Sequence, residues 1–202
     1  MELFPSELSA EHNLLPVDGE VYYYGSVYDT GGADSLLKIL QETITWRQDE
    51  VVLFGKHIVT RRLTAWYGDR GLSYSYSNIA RVALPWTDEL LHIKQRVEVL
   101  TGETYNSCLL NLYHDGSEAM GWHSDNEKEL QPNGAIASVS FGAARQFVFR
   151  HRITKDKVLV LLAHGSLLVM KGATQAHWQH QLPATAKVKT PRVNLTFRTI
   201  VG

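Results

Sequence analysis

The segment that decides the fold is Arg192-Val193-Asn194-Leu195-Thr196-Phe197-Arg198, near the end of the chain. Alternation along a β-strand directs Val193, Leu195 and Phe197 to one face and the four polar residues to the other. We expect the apolar face to join the core. The polar face is either exposed to solvent, as in any half-buried strand, or a donor-rich wall for a dicarboxylate, because it carries two guanidinium groups.

The same alternation of apolar and polar residues, with a period of two, continues over the chain from Ser107 onward. Eight short candidate strands in about 95 residues, with no helical insert, predict an antiparallel sandwich or jelly roll. The candidate strands are 107–113, 119–124, 135–141, 146–151, 157–162, 166–170, 175–181 and 192–199.

Two helices precede these strands. The first 34 residues look irregular or weakly extended, and a helix is predicted over 35–46, capped by Asp34 or Ser35. A second helix is expected to begin after Thr87 and to end at Gly102. The fold class is therefore mostly β with flanking helices (α+β).

No domain boundary is evident in the sequence, so residues 1–202 are predicted to form a single domain. Residues 1–50 form an acidic extension with one helix. Segment 51–86 mixes short β-like pieces with aromatic and basic residues, which fits a surface region over one sheet. Residues 87–202 contain the second helix and the jelly-roll core.

The charge of the chain is unevenly distributed. The formal net charge is −1, but residues 1–50 contain ten acidic and two basic residues, and the remainder contains eleven acidic and eighteen basic ones. The near-neutral total therefore does not exclude a phosphate-bearing partner. A lone cysteine, no apolar run of 18 residues and an acidic N-terminus predict a cytoplasmic protein without a membrane span.

A metal site is indicated by His123-Ser124-Asp125. His123 and Asp125 point the same way in an extended segment, and His177 or His180 offers a third ligand from a distant strand. Two histidines and one carboxylate are the facial arrangement of non-haem Fe(II) oxygenases. An H-x-D motif alone is weak evidence, because it is more often a surface histidine or a structural hydrogen bond. A later histidine and two arginines six residues apart strengthen it.

The ordered set of these residues resembles the AlkB-type Fe(II)/2-oxoglutarate-dependent dioxygenases, in their nucleic-acid dealkylation repair branch. The resemblance extends from about Leu53 to Arg198, and it covers the stretches WHSDNEKEL, ASVSFGAARQFVFRH, HGSLLVMKGATQAHWQH and PRVNLTFR. The residues that carry it are Asn111, Tyr113, His123, Asp125, His180, Arg192 and Arg198.

The resemblance implies a double-stranded β-helix (jelly roll) with an N-terminal helical and lid extension over one mouth. It assigns the third Fe(II) ligand to His180 and a structural role to His177. It implies that 2-oxoglutarate and O₂ are required, with the far carboxylate of 2-oxoglutarate on Arg192. The other cosubstrate residues that it implies are Asn111, Tyr113, Asn194, Thr196 and Arg198.

The resemblance also implies a substrate, namely N-alkylated bases such as 1-methyladenine and 3-methylcytosine in DNA or RNA. Segment 51–86 would be the nucleotide-recognition lid of a monomeric enzyme that is cytoplasmic in bacteria or nuclear in eukaryotes. The implied substrate contacts are Phe54, Gly55, Lys56, Trp66, Tyr74, Ser75, Tyr76, Asn126 and Glu127.

Two alternatives remain. The chain could oxidise a substrate other than a nucleic acid, or it could be a jelly roll that binds nucleic acid without a metal. The complete ligand set disfavours the second.

Overall fold

Two antiparallel sheets face each other in the computed structural model, which describes residues 10, 12–53, 56–76 and 79–201. Only the backbone is described for residues 49–53, 56–58, 73–76 and 79–81. The larger sheet has the strand order β1-β12-β9-β14-β7-β3-β2, with the short β6 beside β3. The smaller sheet has the order β11-β10-β13-β8, and β4 and β5 form a separate pair. This architecture confirms the predicted jelly roll.

The element bounds are as follows. The strands are β1 (Glu20–Ser26), β2 (Arg47–Leu53), β3 (Lys56–Gly68), β4 (Ser73–Tyr76), β5 (Ile79–Val82), β6 (Leu84–Pro85), β7 (Ser107–Tyr113), β8 (Met120–His123), β9 (Ile136–Gly142), β10 (Arg145–His151), β11 (Lys157–Leu162), β12 (Ser166–Lys171), β13 (Trp178–Leu182) and β14 (Arg192–Arg198). The helices are α1 (Thr30–Thr43), α2 (Asp88–Thr101) and α3 (Thr174–His177).

Strand β14 occupies the middle of the larger sheet, between β7 and β9. Its apolar residues, Val193, Leu195 and Phe197, are fully buried in one cluster with Leu40 of α1 and Ile93 of α2. The apolar face of the sheet is therefore covered by the two helices. Helix α1 covers this outer face, whereas the sequence assigned the N-terminal helix to an extension over one mouth.

The polar face of β14 points the other way, between the two sheets. Leu168 and Met170 of β12 lie on this same face of the larger sheet, and they pack against Phe149 and Trp178 of the smaller one. The enclosed polar residues of β14 are therefore not solvent-exposed, and this excludes the half-buried alternative for the strand.

Helix α2 follows its prediction closely. The Thr87 side chain accepts a hydrogen bond from the backbone N–H of Leu90, and Gly102 ends the helix with a left-handed φ of 71°. Helix α1 begins five residues before its prediction, because the Asp29 side chain caps it by accepting from Gly32 N–H. Asp34 lies inside the helix and is not its cap.

The sequence missed or misplaced three strand regions. Strand β1 lies in the part predicted as irregular or weakly extended, and it pairs with β12 along its length. Segment 51–86 is not simply laid over a sheet, since β3 pairs with β7 within the larger sheet and buries Ala65 and Tyr67. The predicted strand 175–181 begins instead with the short helix α3.

No helix among the described residues is long and apolar enough to cross a membrane.

Candidate metal centre and cosubstrate pocket

Three side chains with metal-binding atoms converge at one end of the smaller sheet. His123 ends β8 and lies opposite His180 of β13, while Asp125 follows two residues after His123. The ligand atoms of the three residues all lie within 4.8 Å of one another, and the two Nε2 atoms are 3.1 Å apart. The structure therefore brings together the two members of the H-x-D motif and the remote histidine that the sequence selected.

The hydrogen bonds of His123 determine which ring nitrogen can bind a cation. Its Nδ1 lies 2.8 Å from the carbonyl oxygen of Gly121, so Nδ1 carries the proton and Nε2 presents a lone pair. Burial lowers the pKa of His180 to about 3, so this ring is neutral at physiological pH. Two imidazole nitrogens that face each other in this way fit a divalent cation.

Asp125 is held by two side chains, one at its carboxylate and one at its backbone N–H. Arg198 Nη2 donates to Asp125 Oδ1 at 2.7 Å, and Gln175 Oε1 accepts the backbone N–H of Asp125 at 2.9 Å. Burial is the largest single influence and would raise the pKa of Asp125, but the charge and hydrogen bond of Arg198, together with the two neighbouring histidines, outweigh it, and the pKa lies below its ordinary value. A carboxylate and two imidazole nitrogens are a donor set that fits Fe(II).

Arg192 is a cation enclosed between the sheets. It is 2% exposed, donates to Ser140 Oγ at 2.9 Å, and lies with its guanidinium carbon 5.5 Å from the centre of the Tyr113 ring. No carboxylate of the described residues pairs with it, and its Nε has no hydrogen-bond partner there. Burial lowers its pKa to about 10, which leaves it charged at neutral pH. A buried charge without a partner fits a site for an anionic ligand.

The remaining residues expected around the cosubstrate surround Arg192 on the same face. Asn194 donates to Ser138 Oγ and to Val139 O, and it accepts from Thr196 Oγ1. Asn111 lies opposite Asn194 on β7, and its buried Oδ1 has no partner in the described part of the chain. The polar face thus combines cationic, amide and hydroxyl groups in one enclosed pocket, which fits a small dicarboxylate.

The expected substrate contacts are only partly described. Phe54 and Gly55 lie outside the described residues, and for Lys56, Tyr74, Ser75 and Tyr76 the side chains do. Trp66 is half-buried and lies opposite Leu109, hence on the same face as Thr196 of β14.

Asn126 and Glu127 follow the metal motif and line a cavity of about 320 Å³ together with Asp125 and Arg198. Asn126 is exposed, whereas Glu127 Oε2 is buried and has no hydrogen-bond partner among the described residues. Both residues could therefore reach a molecule next to the metal centre.

Four functional neighbours escaped the sequence reasoning. Ser138 and Ser140 alternate with buried apolar residues of β9, and the same period of two could have indicated them. Gln175 has no comparable signal, because its contact with Asp125 joins residues 50 positions apart. Arg145 is buried and donates to the carbonyl oxygens of residues 115, 116, 118 and 183, contacts that the sequence does not reveal.

Two basic side chains of β10 and the turn after it contact the residues that flank His123. The Arg150 guanidinium carbon lies 4.1 Å from the centre of the Trp122 ring, and Arg152 Nη2 donates to Ser124 Oγ at 2.6 Å. The metal centre is thus bordered by positive charge.

Comparison with known proteins is consistent with this geometry. The model of the 2OG-Fe(II) oxygenase superfamily matches residues 20–198. The chain is 41% identical over 198 residues to the mouse (Mus musculus) DNA oxidative demethylase ALKBH2, a match that covers 93% of this chain and 83% of the mouse protein. It is 42% identical over 189 residues to the human protein of the same name, covering 88% of this chain and 72% of that one.

A second group of relatives is almost as similar. The human alpha-ketoglutarate-dependent dioxygenase alkB homolog 3 is 40% identical over 190 residues, which are 89% of this chain and 66% of that protein. Among solved structures, that of OsALKBH1 superposes with a TM-score of 0.56 at 16% identity, covering 89% of this chain and 97% of that one. The structural match supports the fold.

Proposed function

Since the chain belongs to the 2OG-Fe(II) oxygenase superfamily and is an Fe(II)- and 2-oxoglutarate-dependent dioxygenase, we propose that it oxidatively dealkylates N-alkylated bases in DNA. This assignment of the substrate rests on the sequence identity of 41–42%, over most of the chain, with proteins named DNA oxidative demethylase. The basic side chains at the metal centre support the same substrate, because phosphate binding requires positive charge near the reacting base.

We propose that His123, Asp125 and His180 hold Fe(II). When it is bound, Fe(II) supplies the oxidation of the N-alkyl carbon by O₂, coupled to the conversion of 2-oxoglutarate to succinate and CO₂. A hydroxylated N-methyl group is a hemiaminal, which breaks down to formaldehyde and the unmodified base. Gly121 and Arg198 act through the ligands, because they fix the tautomer of His123 and the orientation of Asp125.

We propose that the buried guanidinium of Arg192 binds the far carboxylate of 2-oxoglutarate. Ser140 orients the guanidinium, and the Tyr113 ring lies against it. Asn111, Asn194 and Thr196 supply further polar contacts on the same face. Pairing a charge that is already enclosed costs little additional desolvation, so this pocket favours a dicarboxylate over a monocarboxylate.

Segment 51–86 is proposed as the lid that holds the target nucleotide, with Trp66 and Tyr74 as aromatic contacts. Within it, the backbone of β4 pairs with β5, and β2 pairs with β3, so the segment presents two hairpins. A base must leave the helical stack to reach an enclosed metal centre, and an alkylated base that cannot pair leaves most readily.

The test is incubation of the protein with Fe(II), 2-oxoglutarate and oligonucleotides that carry a single 1-methyladenine or 3-methylcytosine. Mass spectrometry should show loss of the methyl group from DNA, and RNA strands of the same sequence test whether the sugar matters. Consumption of 2-oxoglutarate with no demethylation on any strand would refute the substrate and leave the oxygenase chemistry standing.

We further propose that the enzyme acts inside the cell as a monomer. Its lone cysteine, Cys108, is fully buried in β7 and forms no disulfide. Sedimentation at micromolar concentration should give the mass of one chain, 22.8 kDa.

A further inference from the structure

A second cluster of metal-binding groups lies apart from the proposed iron ligands. Asp18, His151 and His177 bring their ligand atoms within 4.8 Å of one another. They come from the loop before β1, the end of β10 and the end of helix α3. Residues so far apart in sequence meet here only because the chain folds.

One nitrogen in this cluster has no hydrogen bond. His151 is 3% exposed, and no hydrogen bond reaches its Nε2 from the described residues. The nearest charged atom is Asp18 Oδ2, at 3.4 Å. Burying a ring nitrogen without a partner is unfavourable, and a bound cation would satisfy it.

Two contacts of Nδ1 with Thr154 bear on which nitrogen of His151 carries the proton, and they permit the tautomer that a metal requires. Its Nδ1 lies 3.1 Å from Thr154 Oγ1, which donates its own hydrogen to Asp156 Oδ2. With the proton on Nδ1, the Thr154 hydroxyl accepts it, and Nε2 presents a lone pair toward Asp18 and His177. A second hydrogen bond of this kind is typical of metal-binding histidines. In the other tautomer Nδ1 accepts from Thr154 N–H, which lies 3.2 Å away, and Nε2 carries the proton.

The three segments are fixed against each other without the help of a metal. Trp178 Nε1 donates to Val17 O, and Arg152 N–H donates to His177 O. Asp18 adopts a left-handed φ of 52°, which directs the loop before β1. A ligand set on anchored backbone loses little conformational entropy when a metal binds.

We propose that Asp18, His151 and His177 form a second metal site, which binds Zn(II) and joins the loop before β1 to the smaller sheet. Two imidazoles and one carboxylate are ligands that Zn(II) prefers, with water in the fourth position. Tetrahedral zinc places such ligand atoms about 3.3 Å apart, so small rotations of the two exposed side chains complete the site. The nitrogen ligands disfavour Ca(II) and Mg(II).

This site gives His177 a role that the iron centre does not use. His177 and His180 are three residues apart, and the structure turns them to different places: His180 toward His123, and His177 toward His151. The segment Gln175 to His180 would thus contribute to two metal sites. The second would hold the start of β13, the strand that carries His180.

The experiment is Zn(II) titration of a chelator-treated protein in which His123→Ala and Asp125→Asn disable the proposed iron site. Calorimetry should show one equivalent of Zn(II) bound, and the melting temperature should rise by about 5 °C at a hundredfold excess over Kd. Adding His177→Ala or Asp18→Asn should abolish both effects. Adding His92→Ala, an exposed histidine of α2, should change neither.

Absence of Zn(II) binding in the background protein would overturn the second site, and so would binding that survives both His177→Ala and Asp18→Asn. The otherwise unchanged chain provides an independent check if the background variant does not fold. It should bind two equivalents of Zn(II), and its His177→Ala variant one. Equal stoichiometry for these two proteins would also overturn the proposal, whatever the fate of the iron chemistry.

Discussion

Arg192 is the residue on which cosubstrate binding depends most directly. Its charge is enclosed between the sheets, with a serine hydroxyl and a tyrosine ring as its neighbours. A buried charge without a counter-charge lowers the stability of the unliganded protein, and pairing with a bound carboxylate removes this penalty. Arg192 therefore lowers the stability of the unliganded protein and raises its affinity for 2-oxoglutarate.

Replacement of Arg192 by Met tests both effects, on cosubstrate affinity and on stability. We expect the KM for 2-oxoglutarate to rise by about a hundredfold, because a buried charge-assisted pair is lost. We also expect the free energy of unfolding of the unliganded protein to stay the same or increase, since an unpaired charge is removed. Steady-state kinetics and urea denaturation measure the two effects. An unchanged KM would refute the assignment.

Arg152 tests the nucleic-acid contact at the same scale. Its guanidinium lies at Ser124, beside the proposed iron ligands, so Arg152→Ala should raise the KM for a methylated oligonucleotide about tenfold. The KM for 2-oxoglutarate should not change. Lys38→Ala, on the exposed side of α1, removes the same charge and should leave both constants unaltered. Equal effects of the two variants would argue against a local contact.

Single residues also show what the sequence could reveal of the site. His123, Asp125 and His180 could be selected by spacing and resemblance, and the structure brings them together. Gln175 could not, because a backbone amide bound by a side chain 50 positions away leaves no periodic trace. The enclosure of Arg192 was equally hidden, since alternation separates two faces but does not say which face is inside.

At the scale of secondary-structure elements, the two long helices differ in how clearly the sequence indicates where they begin and end. Helix α2 has a threonine cap, two acids in its first turn and a terminal glycine, and these signals agree. In α1 the pair Gly31-Gly32 is an unfavourable helix signal, yet it lies in the first helical turn. Asp29 caps the helix and so offsets part of the low helix propensity of the two glycines.

Helix capping gives a measurable contrast between Asp29 and Asp34. Asp29→Ala removes the side chain that accepts from Gly32 N–H and should lower the free energy of unfolding by about 1 kcal/mol. Asp34→Ala removes only an exposed carboxylate 3.2 Å from His164 and should change it by under about 0.5 kcal/mol. Urea denaturation of both variants decides the matter. A larger effect at position 34 would restore the sequence-based cap.

Over the whole molecule, some basic residues are hydrogen-bonded inside the fold and others remain available to bind nucleic acid. The eighteen bases after residue 50 outnumber the acids there by seven, but Arg145, Arg192 and Arg198 are engaged inside the fold. The net charge left for nucleic acid is small, and Arg150 and Arg152 place part of it beside the metal centre. Electrostatic binding to DNA should therefore be weak and confined to the surroundings of the metal centre.

Salt dependence of binding follows from this distribution. The slope of log K against log salt concentration for a methylated oligonucleotide should be no steeper than about −4, because few phosphates are contacted. Fluorescence anisotropy between roughly 50 and 200 mM salt gives the slope. A much steeper slope would mean that phosphate contacts extend well beyond the metal centre.

The most direct test of the proposed function is the molar ratio of succinate to formaldehyde on DNA that contains 1-methyladenine. Oxidative dealkylation predicts one formaldehyde for each succinate, with adenine restored at the same rate. His123→Ala should lose both products while DNA binding, measured by anisotropy, persists. Succinate formed without formaldehyde, or demethylation that survives in His123→Ala, would contradict the assignment of this site to DNA dealkylation.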